Sequence, residues 1–176
     1  MIVIEGPDGS GKTTLVGQLL ERFPQLKLGE RTGQDADRSA GVLGDSLHAM
    51  ARAVRHTPNV YIWDRLWPSE LVYAKVFGRE CSISPNQVDL LVRLDHAARW
   101  PLIVCLPPID VVKTAVANSN QMEGVADKIE GIYNAYCTLG QENGYMIYNW
   151  ARPGRFNQLL GYIEEYLFVR KERGET

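Results

Sequence analysis

Short apolar runs alternate along the 176-residue chain with segments whose apolar residues recur at helical spacing. Ile2, Val3 and Ile4 read as a buried strand, and Val16, Leu19, Leu20 and Phe23 as a helix that Pro24 stops. Gln25 to Leu28 is a weak strand candidate. Val60-Tyr61-Ile62-Trp63 is stronger and ends at Asp64, and Leu102 to Leu106 is strongest, bounded by Pro101 and by Pro107-Pro108. Tyr145 to Tyr148 is the last. Between these runs, Leu43, Leu47, Met50 and Val54 form one stripe, and Val125, Ile129, Ile132 and Tyr136 another. Phe156, Leu159, Leu160, Ile163 and Leu167 mark a C-terminal helix. Leu90, Leu91, Leu94 and Ala98 lie on a further helix that serves either core or interface, with core the better reading. Strands alternating with helices predict an α/β fold in three layers, a five-stranded parallel sheet flanked by helices and joined by right-handed crossovers. The length predicts a single domain over 1–176, with a frayed charged tail over 170–176.

Composition adds exclusions. Hydrophobic residues make up 45% of the chain and charged residues 23%, as in ordinary globular enzymes, and no apolar run approaches a membrane span. A net charge of −2 gives no footprint for long nucleic acid, so a small-molecule substrate is expected. The first strand candidate starts at the first residues, leaving no room for a leader, so the expected location is cytoplasmic. Cys81, Cys105 and Cys137 are odd in number and far apart, which favours free thiols over disulfides or a metal site.

The most specific chemistry lies between the first strand and the first helix. Gly6-Pro7-Asp8-Gly9-Ser10-Gly11-Lys12-Thr13 is a complete G-x-x-x-x-G-K-T phosphate loop in the strand-to-helix context the motif requires. Its backbone N–H groups, from Gly9 through Thr14, would cradle phosphates at the positive end of the helix. Lys12 would reach the β- and γ-phosphates of ATP, and Thr13 would hold Mg²⁺.

In a parallel sheet, ligands gather at the carboxyl ends of the strands. Asp64 follows a strand directly, where a carboxylate would organise Mg²⁺ or its waters. Arg65 comes next and suits an acceptor phosphate. Arg31, in the loop after the second strand candidate, is a further phosphate clamp. Glu5 and Asp8 bring two carboxylates close to the phosphates, so they should face a hydroxyl, water or an arginine. His48, Arg52 and Arg55 form a polar stripe on the helix at 41–55 that suits either a base-reading surface or a solvated face.

Taken together, Ile4-Glu5-Gly6-Pro7-Asp8-Gly9-Ser10-Gly11-Lys12-Thr13-Thr14, Glu30-Arg31-Thr32, Asp64-Arg65, Ser69 and Tyr73 resemble thymidylate kinases, viral and phage members above all. The resemblance spans nearly the whole chain and is strongest in its first third and around Asp64. It implies a P-loop NTPase fold, with phosphoryl transfer from ATP and Mg²⁺ to deoxythymidine monophosphate, and a homodimer. It further implies that Asp8 lies near the acceptor's sugar or phosphate and that Arg31 and Arg65 bind its phosphate. Ser69 and Tyr73 would border deoxyribose and base, and the loop Asn149 to Arg155 would pass the donor adenine around Ala151.

Two departures stand out. The family places an arginine on the transferred phosphate, from the phosphate loop or from a lid after the fourth strand. Here the loop carries Gly9 and Ser10, and no arginine occurs between Pro101 and Trp150. The expected lid, 114–128, is flanked by Lys113 and Lys128, the candidates to replace it. No clear aromatic stands where the family stacks thymine, which leaves Trp67 or Tyr73. The expected activity is therefore ATP-dependent phosphorylation of a deoxynucleoside monophosphate, dTMP or a related pyrimidine nucleotide. A modified pyrimidine nucleotide, another deoxynucleotide, a deoxynucleoside and a catalytically weak nucleotide-binding relic are the alternatives. A switch GTPase fits poorly, since no Asn-Lys-x-Asp stretch is present.

Overall fold

The computed structural model describes residues 1–29, 41–54, 59–119 and 123–174. In chain order the elements are β1 (Ile2–Glu5), α1 (Lys12–Arg22), β2 (Leu26–Leu28), α2 (Gly41–Val54), β3 (Val60–Asp64), α3 (Trp67–Phe77), α4 (Pro85–Ala98), β4 (Leu102–Cys105), α5 (Ile109–Ala117), α6 (Val125–Asn143), β5 (Met146–Tyr148) and α7 (Arg155–Glu172). The five strands form one parallel sheet in the order β2-β3-β1-β4-β5, as the alternation of elements predicts. β3 and β4 lie on opposite sides of β1, so a crevice opens beyond the carboxyl end of β1, where the phosphate loop leaves the sheet.

The period-2 alternation of side chains sorts the core into two layers. Ile2 and Ile4, Val60 and Ile62, and Ile103 and Cys105 pack on the face covered by α1 and α7, with Leu15, Leu19, Leu159 and Ile163. Val3, Trp63, Leu102 and Val104 pack on the opposite face, against residues of α2 to α6 that include Leu91, Val112, Ile132 and Tyr136. Carried one step past the apolar runs, the same alternation aims the polar residues. Glu5 continues the Val3 side, toward α3 and α6. Asp64 continues the Val60-Ile62 side, toward α1.

Several boundaries differ from the sequence reading. α7 runs on through Arg170 to Glu172, and Arg170 is buried, so the helix absorbs the start of the expected tail. The aliphatic stem of Arg170 extends the Ile163-Leu167 stripe, which a hydrophobicity pattern does not register. On α2, Ser46, Ala49 and Met50 are buried while Leu47 and Val54 are exposed, so the core-facing stripe is rotated from the one expected. Leu91 of α4 is buried, but Leu90 and Leu94 are exposed, so the core reading holds for Leu91 and not for those two. The expected lid is shorter, because 114–117 belong to α5 and 125–128 to α6. Cys105 is buried and Cys81 and Cys137 are half-buried, all three as free thiols. Among the described residues, no helix is long and apolar enough to cross a membrane.

Candidate active site

A cleft of about 350 Å³ opens at the carboxyl end of β1, lined by the loop residues Asp8, Gly9 and Gly11, the helix start Lys12 to Thr14, and Asp64-Arg65. Five of the phosphate-loop residues and both residues of the strand-end pair thus face one space, as the strand-end rule predicts. Gly9 and Gly11 adopt φ of 73° and 86°, a region that residues with a Cβ enter at a cost. Space is as restrictive as torsion at both. A Cβ on Gly9 would lie 2.9 Å from the side chain of Ala115 and 3.1 Å from the carbonyl of Val112, so the loop rests directly on α5. A Cβ on Gly11 would lie 3.0 Å from Trp150 Nε1. That indole donates to the carbonyl of Ser10 at 2.9 Å and pins the loop from the β5–α7 connection.

Lys12 is buried, and its ammonium donates to the Pro7 carbonyl at 2.7 Å. Burial, with Arg65 nearby, pushes its pKa down to about 8, against the opposing pull of Asp8 and Asp64. The Thr13 hydroxyl donates to Asp64 Oδ2 at 3.1 Å, the contact expected once Asp64 leaves β3 on the α1 face. A hydroxyl and a carboxylate side by side at the mouth of a phosphate loop form a hard-oxygen donor set. It fits Mg²⁺, which takes one or two protein ligands and fills its remaining positions with water and phosphate. Among the described residues there is no cluster of three or more His, Cys, Asp or Glu that would hold a metal ion without a ligand's help.

Arg65 sits with φ of 72°, a left-handed conformation uncommon for a residue with a side chain, and directs its guanidinium into the β1–α3–α6 layer. There it donates from Nη1 to Ser69 at 3.2 Å and to Tyr136 at 3.0 Å. From Nη2 it donates to Asp8 at 2.6 Å and to Tyr73 at 3.2 Å. Tyr73 also donates to Asp8. Beneath this group lies Glu5, fully buried, which accepts from the Leu66 N–H at 2.8 Å, Ser69 at 2.7 Å and Tyr136 at 3.0 Å. Burial raises the Glu5 pKa, while Arg65 and the donors around it oppose the rise. Burial also works against the charge on Arg65, but Tyr136, Tyr73, Asp8 and Glu5 reverse this and raise its pKa. A guanidinium ringed by acceptors stays charged at any working pH.

Of the other residues singled out by sequence, Ser69 and Tyr73 join Arg65 as described. Arg31 lies outside the described residues, as do Arg55 and the lid residues 120–122. His48 is exposed on α2. Arg52 lies over the Tyr61 ring, 4.5 Å from its centroid, and donates to the Tyr61 hydroxyl at 3.1 Å; Tyr61 stands near the start of β3, so these contacts hold Arg52 away from the strand's carboxyl end. Ala151 is exposed in the β5–α7 connection, its N–H donating to the Asn149 side chain at 3.1 Å. Trp67 does not serve as a stacking platform. At 2% exposure it is a core residue of α3. Tyr73 is half-buried and stacks on Phe77, with ring centroids 6.2 Å apart. Neither lysine expected to replace the missing arginine is among the residues that line the cleft. Lys113 pairs with Glu130 at 2.9 Å, and Lys128 donates to the Val76 carbonyl at 3.2 Å over the Phe77 ring. Sequence reasoning missed two residues. Tyr136 reads as the last member of an apolar stripe, and Trp150 carries no motif at all.

No family model and no curated protein matches the chain. Its architecture is nonetheless shared with proteins of known structure. It aligns with the YorR protein of Bacillus subtilis, solved in complex with phosphorylated GDP, at 20% identity and a TM-score of 0.65, covering 98% of this chain and 97% of that one. It also aligns with deoxyadenosine kinase from M. mycoides with bound dCTP, at 10% identity and a TM-score of 0.57, covering 94% and 100%. The same enzyme with the products dCMP and dCDP aligns at a TM-score of 0.57 and 10% identity, over 93% and 98% of the two chains. The fold is the three-layer P-loop fold, a five-stranded parallel sheet flanked by helices.

Proposed function

We propose that the chain is a P-loop kinase that transfers the γ-phosphoryl group of ATP to a small nucleotide, with a deoxynucleoside monophosphate, dTMP or a related pyrimidine nucleotide, as the acceptor. The observation that carries this reading is the meeting of two differently built half-sites in one cleft: Lys12 and Thr13 with Asp64 on one side, and Asp8 with Arg65 on the other. A nucleotide-binding switch needs only the first half. The second supplies a fixed cation for a phosphate-bearing acceptor beside the transferred group.

Phosphoryl transfer asks a protein chiefly for positioning and charge neutralisation. Lys12, now hydrogen-bonded to Pro7, exchanges that carbonyl for phosphate oxygens when a triphosphate fills the loop. The incoming negative charge holds its proton. Thr13 and Asp64 would hold Mg²⁺, which would supply positive charge against the negative charge of the phosphates. Arg65 aims its guanidinium at the acceptor's phosphate. Asp8 and Tyr73 orient it, and Glu5, Ser69 and Tyr136 fix it from below. Asp8 also lies within reach of the acceptor's sugar or phosphate. The transfer is in-line, with no covalent intermediate.

A coupled assay with ATP, magnesium and a panel of deoxynucleosides and their monophosphates tests this reading. Activity confined to monophosphates and lost in Lys12→Ala is expected. Turnover on nucleosides alone would reassign the acceptor, and ATP binding without acceptor-stimulated consumption would make the chain a nucleotide-binding relic.

A further inference from the structure

A second cavity, also of about 350 Å³, lies at the opposite end of the sheet. One wall is a single face of α7, presenting Tyr162, Tyr166 and Arg170 at helical spacing, with Arg173 at the helix C-cap. The facing wall is Arg99, the C-cap of α4, with Trp100 shortly before β4 begins. Met1, at the start of β1, donates through its amine to Tyr166 at 2.7 Å, whereas the phosphate loop follows the end of β1. A four-residue strand, roughly 13 Å long, therefore separates the two sites.

Exposure divides the cavity into floor and rim. Arg170 and Trp100, 5% and 9% exposed, form the floor, and Arg170 donates to the Tyr166 hydroxyl at 3.3 Å. Arg99, Tyr162, Glu165 and Arg173 stand exposed at the rim. The backbone of Arg99 is held at φ of 51°, in the left-handed region, while its N–H caps α4 at the His96 carbonyl. The lining thus brings three guanidinium groups together against one carboxylate, among three aromatic side chains. Aromatic faces take a planar ring, and guanidinium forks take phosphate in a bidentate geometry. A rim carboxylate accepts from a base N–H or a sugar hydroxyl. The volume lies within the roughly 300–1,000 Å³ of small-molecule sites.

From this chemistry we propose that the α4–α7 cavity is a second binding site, for a nucleoside phosphate, separate from the phosphate-loop cleft. It goes beyond the kinase reading and stands whether or not the cleft transfers phosphate. Two photoactivatable probes test it, 5-iodo-2′-deoxyuridine monophosphate and 8-azido-ATP, with labelled peptides mapped in the full chain. The expected label falls on the segments holding Trp100 and Tyr162, in wild type and in Lys12→Ala alike. Arg173→Glu and Tyr162→Ala, both at exposed positions, should reduce that label about tenfold or more while labelling near the phosphate loop persists. Label confined to the phosphate-loop cleft would overturn the proposal, as would α4–α7 label undiminished in both rim variants. Protection of these segments by inorganic phosphate as effective as protection by nucleotide would overturn the nucleoside part of it.

Discussion

Around Arg65, the side chains of Glu5, Asp8, Ser69, Tyr73 and Tyr136 hydrogen-bond to one another and to the guanidinium. Around Lys12, in the same cleft, the loop holds its ammonium by one backbone carbonyl and its metal-side pair by one hydroxyl contact. The first region is assembled before any ligand arrives. The second is a frame whose donors are completed by phosphate. The contrast matches the two tasks in the proposed reaction, since an acceptor must be aimed and a triphosphate must be gripped and released. It also separates the expected effects of substitution. Changes on the Lys12 side should alter turnover and leave folding intact, while changes on the Arg65 side should register in both.

The largest effect is expected from Lys12→Ala. Removing the cation should lower kcat by about 10²–10³-fold or more, with thermal unfolding of the ligand-free protein unchanged or slightly raised, because a buried ammonium is lost. A folded variant with near wild-type turnover would end the distinction between the two sides. Asp64→Asn should follow, with activity or magnesium affinity reduced about 10–100-fold and partly recovered at high magnesium, read from a magnesium titration of initial rates.

On the other side, Tyr136→Phe removes one donor to buried Glu5 and one partner of Arg65. The expectation is a loss of about 1–3 kcal/mol in denaturant unfolding together with a raised KM for the acceptor. Unchanged KM for the acceptor beside a destabilised fold would make the network structural only. The last effect is in pH. Lys12 titrates near 8 in the ligand-free protein, below its ordinary 10.5, so between those values the unfolded chain binds the extra proton and stability rises with pH. The expected gain over that window is up to about 3 kcal/mol relative to Lys12→Met. Triphosphate binding has the opposite sign. It requires the ammonium, so affinity should fall as pH rises above 8, with proton uptake visible by calorimetry in buffers of different ionisation enthalpy.

The same contrast explains what the sequence made legible. The Lys12 side is local, a contiguous motif between a strand and a helix, and Asp64 sits one residue past a recognisable apolar run. The Arg65 side is assembled across the fold. Glu5 is legible in part, since Met1, Val3 and Glu5 alternate onto one face of β1, but its partners come from α3 and α6. Tyr136 is 131 residues from Glu5 and reads as core, correctly by burial, while its hydroxyl serves the site. Trp67 failed as a stacking candidate because α3 begins there and turns the ring into the core. Lys113 and Lys128 are candidates by position in the sequence alone, and in the fold they contact Glu130 and the Val76 carbonyl.

The rest of Gly9 against α5 has an evolutionary reading. An arginine inside this loop, which the resemblance to thymidylate kinases raises as an expectation, would stand where Gly9 and Ser10 are. At position 9 any side chain would meet Ala115 and the Val112 carbonyl, on a backbone already in a glycine-favoured torsion. A single codon change from glycine to arginine would therefore yield a displaced helix before it yielded a better catalyst. At position 9, then, added positive charge comes only with a repacking of α5.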